Sequence, residues 1–377
     1  MTVNSIYALV NDLRDMGVGG NTLKVVDSST FVSFGNNVLS SASDKDLFYN
    51  KLIDRIGYTY IKAKAIKSKL FEFLEITPVE FGAYLQKIQA NKIARAEEQT
   101  RYRYVDPYTV KQTDTTDFTQ LLFKARSSYN INKLYWDSQL DTAFTSESAF
   151  ASFVNLITTD LLNGIELSKD ELARSEIATM IASIVAGNNS TQVRHLLTEY
   201  NAISGKTLTS ATARRDLEFL KYMCSEISLV ETRMEDVSTL YNEEGAERWS
   251  NGNDTRFLIH SEIASDIDSY LQADTFHEEY LAKPNITKKI NYFQNQGSGS
   301  FDDTSKISIT LDNGTTTTNV NNIIAVLYEK DKVGVMFDKL RMDSIYNPAS
   351  ECTNTFAKYD LGGYVDKSEN GVVFLLD

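Results

Sequence analysis

The end of the chain, Asn322 to Leu376, constrains the fold more than any other stretch. Two compact apolar runs, Ile323–Tyr328 and Val333–Phe337, flank the charged turn Glu329-Lys330-Asp331-Lys332, and a third run, Val372–Leu376, follows after a polar interval. Runs this short, rich in Val, Ile and Phe and bounded by turn residues, predict buried strands rather than helices. The tail is therefore expected inside a sheet.

Upstream, the periodicity changes with position. Asn4–Asp15 places Ile6, Leu9, Val10 and Leu13 on one face of a short helix, followed by Gly17-Val18-Gly19-Gly20 and a serine-rich segment reaching Ser43. Such a helix cannot bury its stripe alone and is expected to act as an arm, docking on its own domain or on another chain. Residues 44–66 mix helical and alternating spacing and read only as ordered. Thr77-Pro78-Val79-Glu80 has the form of a capping box with proline at the first helical position, which by local rules starts a helix at Phe81–Ile88. From Leu121 to Ile131, Leu121, Phe123, Ala125, Tyr129 and Ile131 alternate with polar residues, as in one strand with two unlike faces. Between these pieces, residues 101–117 (RYRYVDPYTVKQTDTTD) are polar and aromatic with no apolar period.

Helical spacing takes over after Phe144. Ser146 is expected to cap a helix carrying Phe150, Phe153, Val154, Ile157 and Leu161 and closed by Gly164. Ser168-Lys169-Asp170-Glu171 then reads as the capping box of a second helix, with Leu172, Ile177, Met180, Ile181 and Ile184 running on to Gly187. The longest helix is expected at about Ala211–Tyr241, where Leu217, Leu220, Cys224, Ile227, Val230, Met234 and Val237 recur at three and four, the pattern of a core-facing helix. Arg256–His260 reads as a strand. Ile307, Ile309 and Leu311 alternate up to Asp312-Asn313-Gly314, a strong hairpin signal.

A chain of 377 residues can bury a substantial core and is expected to form more than one compact unit. No apolar run approaches the ~20 residues of a membrane helix, and the start lacks the basic region and apolar core of a signal peptide, so an intracellular product is expected. Cys224 and Cys352 are far apart, which fits reduced thiols better than a disulfide framework. The net charge of -13 is uneven: Met1–Leu140 carries 18 Lys and Arg against 15 Asp and Glu, and the remainder 20 against 36. An acidic chain is a poor candidate for tight nucleic-acid binding.

No constellation argues for catalysis. His277-Glu278-Glu279 is not a zinc motif, because Leu281 stands where the second histidine is needed. His195 and His260 read as ordinary side chains, and neither cysteine has a partner at metal-ligand spacing. Gly17–Gly20 and Gly297-Ser298-Gly299-Ser300 lack the lysine and context of a phosphate loop and read as linkers. Asp266 with Asp268, and Glu243 with Glu244, could bind a cation or act as acid and base; solvated faces are the ordinary reading of such pairs. The 20 tyrosines and 19 phenylalanines offer interface material instead.

In order and spacing, several of these segments resemble the major capsid (head) proteins of tailed bacteriophages. The resemblance is carried by the strand with its acidic turn, the bend Tyr346-Asn347-Pro348, the segment TFAKYDLGGYVD (Thr355–Asp366) and the ending Glu369-Asn370-Gly371-Val372-Val373-Phe374. Phe81–Ile88, Leu134–Phe144 and Thr255–Ile267 follow the same chain order, and the likeness makes Phe81–Ile88 part of an extended ribbon where local rules start a helix. This likeness implies an α+β chain with the Hong Kong 97-like (Johnson) fold: an N-terminal arm (1–45), an extended-loop region and its base (46–140), the spine helix of a peripheral domain (141–189), an axial domain (190–345) and a return to the peripheral sheet (346–377). It implies a non-enzymatic protein, without cofactor or metal, that self-assembles into an icosahedral head around packaged double-stranded DNA. The partners implied are copies of the same chain in hexameric and pentameric capsomers, together with scaffold, portal and decoration proteins where these exist. Contact with DNA is expected to be weak and non-specific, no membrane is involved, and the virion would be assembled in the host bacterial cytoplasm. Arg101, Tyr102, Arg103, Tyr104, Tyr108 and Lys111, on the extended loop, are the candidate contacts to a neighbouring copy. The alternatives are a soluble α+β enzyme with a scattered acidic site and a lower-copy tail or connector component.

Overall fold

The computed structural model describes residues 3–20, 23–40, 43–52, 70–71, 74–76, 84–93, 118–124, 127–271, 286–311 and 316–377. Its strands are β1 (Glu75–Ile76), β2 (Tyr84–Ala90), β3 (Phe118–Lys124), β4 (Ser127–Trp136), β5 (Val193–His195), β6 (Thr255–His260), β7 (Lys288–Ile290), β8 (Ile307–Leu311), β9 (Thr316–Val320), β10 (Ile323–Glu329), β11 (Val333–Asn347), β12 (Cys352–Val365) and β13 (Gly371–Leu375). They build a sheet in the order β1-β11-β12-β4, a second in the order β5-β13-β10-β6-β7, a ribbon β2-β3 and a hairpin β8-β9.

The three terminal runs are strands, as their composition predicts. β10 lies in the middle of the five-stranded sheet, antiparallel to β13 and β6, and all its residues are buried. Its side chains divide between two cores. Ile324, Ala325 and Leu327, with Phe257 and Ile259 of β6 and Val372 and Phe374 of β13, pack in the core that includes the helix Leu217–Met234. Ile323, Val326 and Tyr328, with Leu258, Val373 and Leu375, pack with Ile177, Ile181 and Ile184 of the helix Glu147–Ala186. Ile324 and Ala325 share a side because the register slips between Ile323 and Ala325, as at a β-bulge. Burial on both faces is why these strands read as continuous apolar runs without polar alternation.

Glu147–Ala186 is one helix of 40 residues, about 60 Å long at 1.5 Å per residue, and this corrects the expectation of two. Ser146 caps it as expected, its Oγ accepting from Ala149 N. Gly164 does not end it: a Cβ there would come within 2.9 Å of Ile131 on β4, so the glycine permits close packing. Ser168 starts nothing either, because its hydroxyl donates to the Gly164 carbonyl one turn back (3.1 Å) and accepts from Tyr359 on β12 (2.9 Å).

The longest helix is therefore not the one expected at Ala211–Tyr241. That stretch holds an 18-residue helix, Leu217–Met234, started by the Asp216 carboxylate accepting from Phe219 N, with a separate turn at Ser210–Ala213 before it. After Glu235 the chain leaves the helix, and Ser238 bridges Arg248. The alternation from Leu121 to Ile131 also divides: β3 pairs with β2 and β4 with β12, in different sheets. Tyr84–Ile88 lies in strand β2, not in a helix, while Thr77–Ala83 lies outside the described residues. β8 and β9 pair from Ile307↔Val320 to Leu311↔Thr316, as the Asn-Gly signal predicts.

The first helix, Val3–Asp15, docks on its own chain. Ile6, Val10 and Leu13 enter a core shared with Phe31 and Phe34 of the helix Ser28–Leu39, with Phe48, Tyr49 and Leu52 of the helical residues 43–52, and with Phe144, Phe150, Phe153, Val154 and Ile157. Tyr7 donates to Glu147 Oε1 at 2.7 Å, tying the first helix to the start of the long one. Cys224 and Cys352 are buried free thiols.

Candidate functional site

The ribbon β2-β3 has two unlike faces. Its register pairs Lys87 with Leu121 and Gln89 with Thr119 on one face, and Gln86 with Leu122 and Ile88 with Gln120 on the other. A lone two-stranded ribbon is marginal in water, so one face must be held. The face with Lys87 and Gln89 is. Lys87 Nζ reaches the carboxylates of Asp366 and, at 2.6 Å, Glu369; Ser368 Oγ donates to Gln89 Oε1 at 2.8 Å; and the Phe123 ring stacks on Tyr364 with centroids 4.8 Å apart. Burial works against the Lys87 ammonium, but its hydrogen bonds to the two carboxylates prevail and hold it above the usual lysine range. At the end of the ribbon, Arg248 Nη1 donates to the Ala90 carbonyl (3.0 Å) and Glu247 N to the Asn91 carbonyl (2.9 Å).

The opposite face looks away from the body. Ile88 is 67% exposed and Leu122 61%. A second exposed apolar group lies on the four-stranded sheet, where β4, β12 and β11 bring Leu134, Asn354 and Ile345 into one register row, with Trp136 two residues along. Leu134, Trp136 and Ile345 are all exposed. These two surfaces are the best-formed candidates for contact with another chain.

The loop that receives the ribbon is fixed from beneath by Lys332. This side chain is fully buried, and its ammonium donates to the carbonyls of Glu369 (2.8 Å) and Asp366 (3.3 Å) and to Glu243 Oε1 (3.3 Å). Glu243 also accepts from Ser183 of the long helix. Burial pushes the Lys332 ammonium below the usual lysine range, against the pull of Glu243, Asp366 and Glu369. Within the charged turn Glu329–Lys332 the structure buries both Glu329 and Lys332 and leaves Asp331 exposed. Sequence reasoning missed Lys332 because a charge between two apolar strands is the ordinary signature of an exposed turn.

Nearby, Glu176 of the long helix occupies the space left by Gly363 on β12, in a cavity lined also by Thr179, Tyr364 and Lys367. Burial pushes its carboxyl up to about 7 from an ordinary 4.5. Between those values the folded chain keeps a proton that the unfolded chain has released, so stability falls as pH rises through this window. Glu176→Gln should accordingly raise stability by roughly 2–3 kcal/mol above pH 7 and change little at pH 4.5. Urea unfolding at the two pH values checks this, and equal effects at both would exclude the assignment.

Arg101, Tyr102, Arg103, Tyr104, Tyr108 and Lys111 lie outside the described residues; the chain leaves for them and returns at the Ala90–Phe118 pair of the ribbon. The acidic pairs are separately engaged: Asp266 with Arg214, Asp268 with Lys289 and Glu243 with Lys332. His260 is buried against Thr304 Oγ1 (3.0 Å), and His195 meets Asp377 (2.6 Å). His277 is outside the described residues. Among the described residues no group of three or more His, Cys, Asp or Glu could hold a metal, and no helix is long and apolar enough to cross a membrane.

A model of the Phi29-like phage major capsid protein family matches residues 12–375 of the chain. A search of curated proteins by sequence finds no match. Among solved structures, the fold is similar to a chain in the capsid structure of Staphylococcus phage Andhra, at 10% identity and a TM-score of 0.56, covering 84% of this chain and 86% of that one. It is also similar to a chain in the structure of the head fiber and inner core protein gp22 of native bacteriophage P68, at 11% identity and a TM-score of 0.54, covering 83% and 86%. At these identities the likeness concerns the fold.

Proposed function

The chain belongs to the Phi29-like phage major capsid protein family, and from that premise we propose how this capsid-forming protein, with its Hong Kong 97-like fold, makes its contacts. The β2-β3 ribbon, with residues 94–117 beyond it, crosses a neighbouring copy in hexameric and pentameric capsomers. The observation that carries this reading is the division of the ribbon's faces: the face with Lys87, Gln89 and Phe123 is latched to its own subunit, while Ile88 and Leu122 are offered outward. Their partner is the exposed row Leu134, Trp136 and Ile345 of the next copy. Contacts of this heterologous kind, repeated around an axis, close into rings and shells. Arg101, Tyr102, Arg103, Tyr104, Tyr108 and Lys111 extend the same contact, with their cations facing the acidic remainder of the neighbour. In this reading residues 190–345 pack around the capsomer axis, residues 1–45 form the arm, and the flanking segments supply the periphery. Scaffold, portal and decoration proteins, weak contact with packaged DNA, and assembly in the host cytoplasm complete it.

Electron microscopy of the expressed chain tests the contact. The wild type should form shells or capsomers, whereas Ile88→Asp/Leu122→Asp should remain as folded, dispersed subunits, because two apolar contacts per interface are replaced by charges that would have to be desolvated. Limited trypsin digestion of the same samples should cut after Lys92, Arg95, Arg101, Arg103 and Lys111 in the dispersed subunits and be slowed in wild-type shells. Normal shells from the double variant would sink the proposal.

A further inference from the structure

A cavity of about 630 Å³ lies where the ribbon end meets the loop Glu247–Asp254, on a side of the ribbon that the contact above does not use. Trp249, 51% exposed, and Ile93 supply apolar surface, and Glu247, Asp254, Glu329 and Asp331 contribute carboxylates. Lys87 is engaged by Asp366 and Glu369, and Arg248 donates through Nη1 to the Ala90 carbonyl, while Arg248 Nη2 and Gln89 Nε2 have no hydrogen-bond partner among the described residues. Asp254 is taken by Lys330 at 2.7 Å, and Glu247 Oε2 accepts from Ile93 N at 2.9 Å. Glu329 differs. It is only 8% exposed, and its Oε2 has no hydrogen-bond partner among the described residues. Buried polar atoms are almost always partnered, so such an oxygen marks a place where something else is to be bound.

We propose that this cavity receives an arginine or lysine side chain of a second copy, its charge meeting Glu329 and its alkyl stem lying on Trp249 and Ile93. The charge distribution of the chain supports a second copy as the source: Met1–Leu140 has 18 basic against 15 acidic residues, while the remainder, which carries Trp249 and Glu329, has 20 against 36. An exposed indole face is itself a preferred seat for a cation. Burial, opposed by Ser250 and reinforced by Asp254, Glu369 and Asp331, raises the Glu329 carboxyl to about 7, and an incoming cation would relieve that unfavourable charge. The inference rests on the capsomer assembly proposed above and adds a second contact at a different place.

The test replaces Trp249 in the full chain by the photo-cross-linking residue p-benzoylphenylalanine and assembles particles from an equal mixture of ¹⁴N and ¹⁵N chains. Irradiation should give mixed-isotope cross-links from position 249 to a Lys- or Arg-containing peptide within Met1–Leu140. Particles that give only same-isotope cross-links, or none to such a peptide, overturn the inference while leaving the assembly reading intact; a wild-type chain that forms no particles overturns both. Glu329→Gln gives an independent readout, because it removes the charge without removing bulk. It should raise the concentration needed for assembly roughly tenfold or more, as expected for loss of one charge-assisted contact per copy, while the unassembled variant unfolds no more readily at pH 8. Assembly at the wild-type concentration would reject the site.

Discussion

Lys332→Ala should cost about 3–5 kcal/mol of folding stability, the range for removing one partner of a buried ion pair. The ammonium it removes is wholly enclosed, and three oxygens depend on it: the carbonyls of Asp366 and Glu369 and the carboxylate of Glu243. The alanine leaves a gap beside Gly371 and Ile184, where the Lys332 stem now packs, and the two carbonyls lose their donor. The consequence extends to the ribbon, since Asp366 and Glu369 are the residues that hold Lys87. Hydrogen exchange in Tyr84–Ala90 should therefore accelerate in the same variant. Lys332→Met combined with Glu243→Gln removes both charges and should recover part of the loss, with the two carbonyls still lacking their donor. Urea unfolding of the single and double variants measures the difference; a single variant within about 1 kcal/mol of wild type would rule out a structural role for this lysine.

Phe150→Ala should have an effect of similar size, about 3–5 kcal/mol, for a different reason. Its ring is fully buried and lies 5.3 Å from Phe144, 5.5 Å from Phe31 and 6.1 Å from Phe48, centroid to centroid. It thus joins the long helix to three separate segments at once. Truncation removes apolar area and leaves a cavity that four elements would have to close together. Because total stability of a domain is only about 5–15 kcal/mol, the N-terminal helices should detach well before the five-stranded sheet, which has its own cores. Protease should then cut first within the first 52 residues, while the exchange protection of β10 and β13 persists. Simultaneous loss of both regions would contradict this division of the structure.

The same two sites mark what could be read from residues alone. Buried strands were legible at β10 and β13 because burial on both faces leaves an unbroken apolar run, a local property that needs no partner to be seen. The cap at Ser146 was legible because its side chain bonds to an amide within three residues, whereas the Asp216 cap lay inside the longer helix expected from Ala211. The core stripe of Leu217–Met234 was legible for a similar reason: helical periodicity records which face is dry. Recognition of the capsid family came from the order of such segments. Tertiary structure alone decided whether a local signal was used. Gly164 and Ser168 have the chemistry of a helix end and a helix start, yet the helix runs through both, because β4 packs where the glycine has no side chain and Tyr359 takes up the serine hydroxyl. Leu121–Ile131 keeps a period of two while changing sheets, since alternation reports the pleat and not the neighbour. Lys332 and Glu329 look like surface charges in sequence. Their burial follows from the approach of residues 243, 366 and 369, which no local pattern encodes, and the ribbon's outward face exists only because its other face found partners more than 270 residues away along the chain.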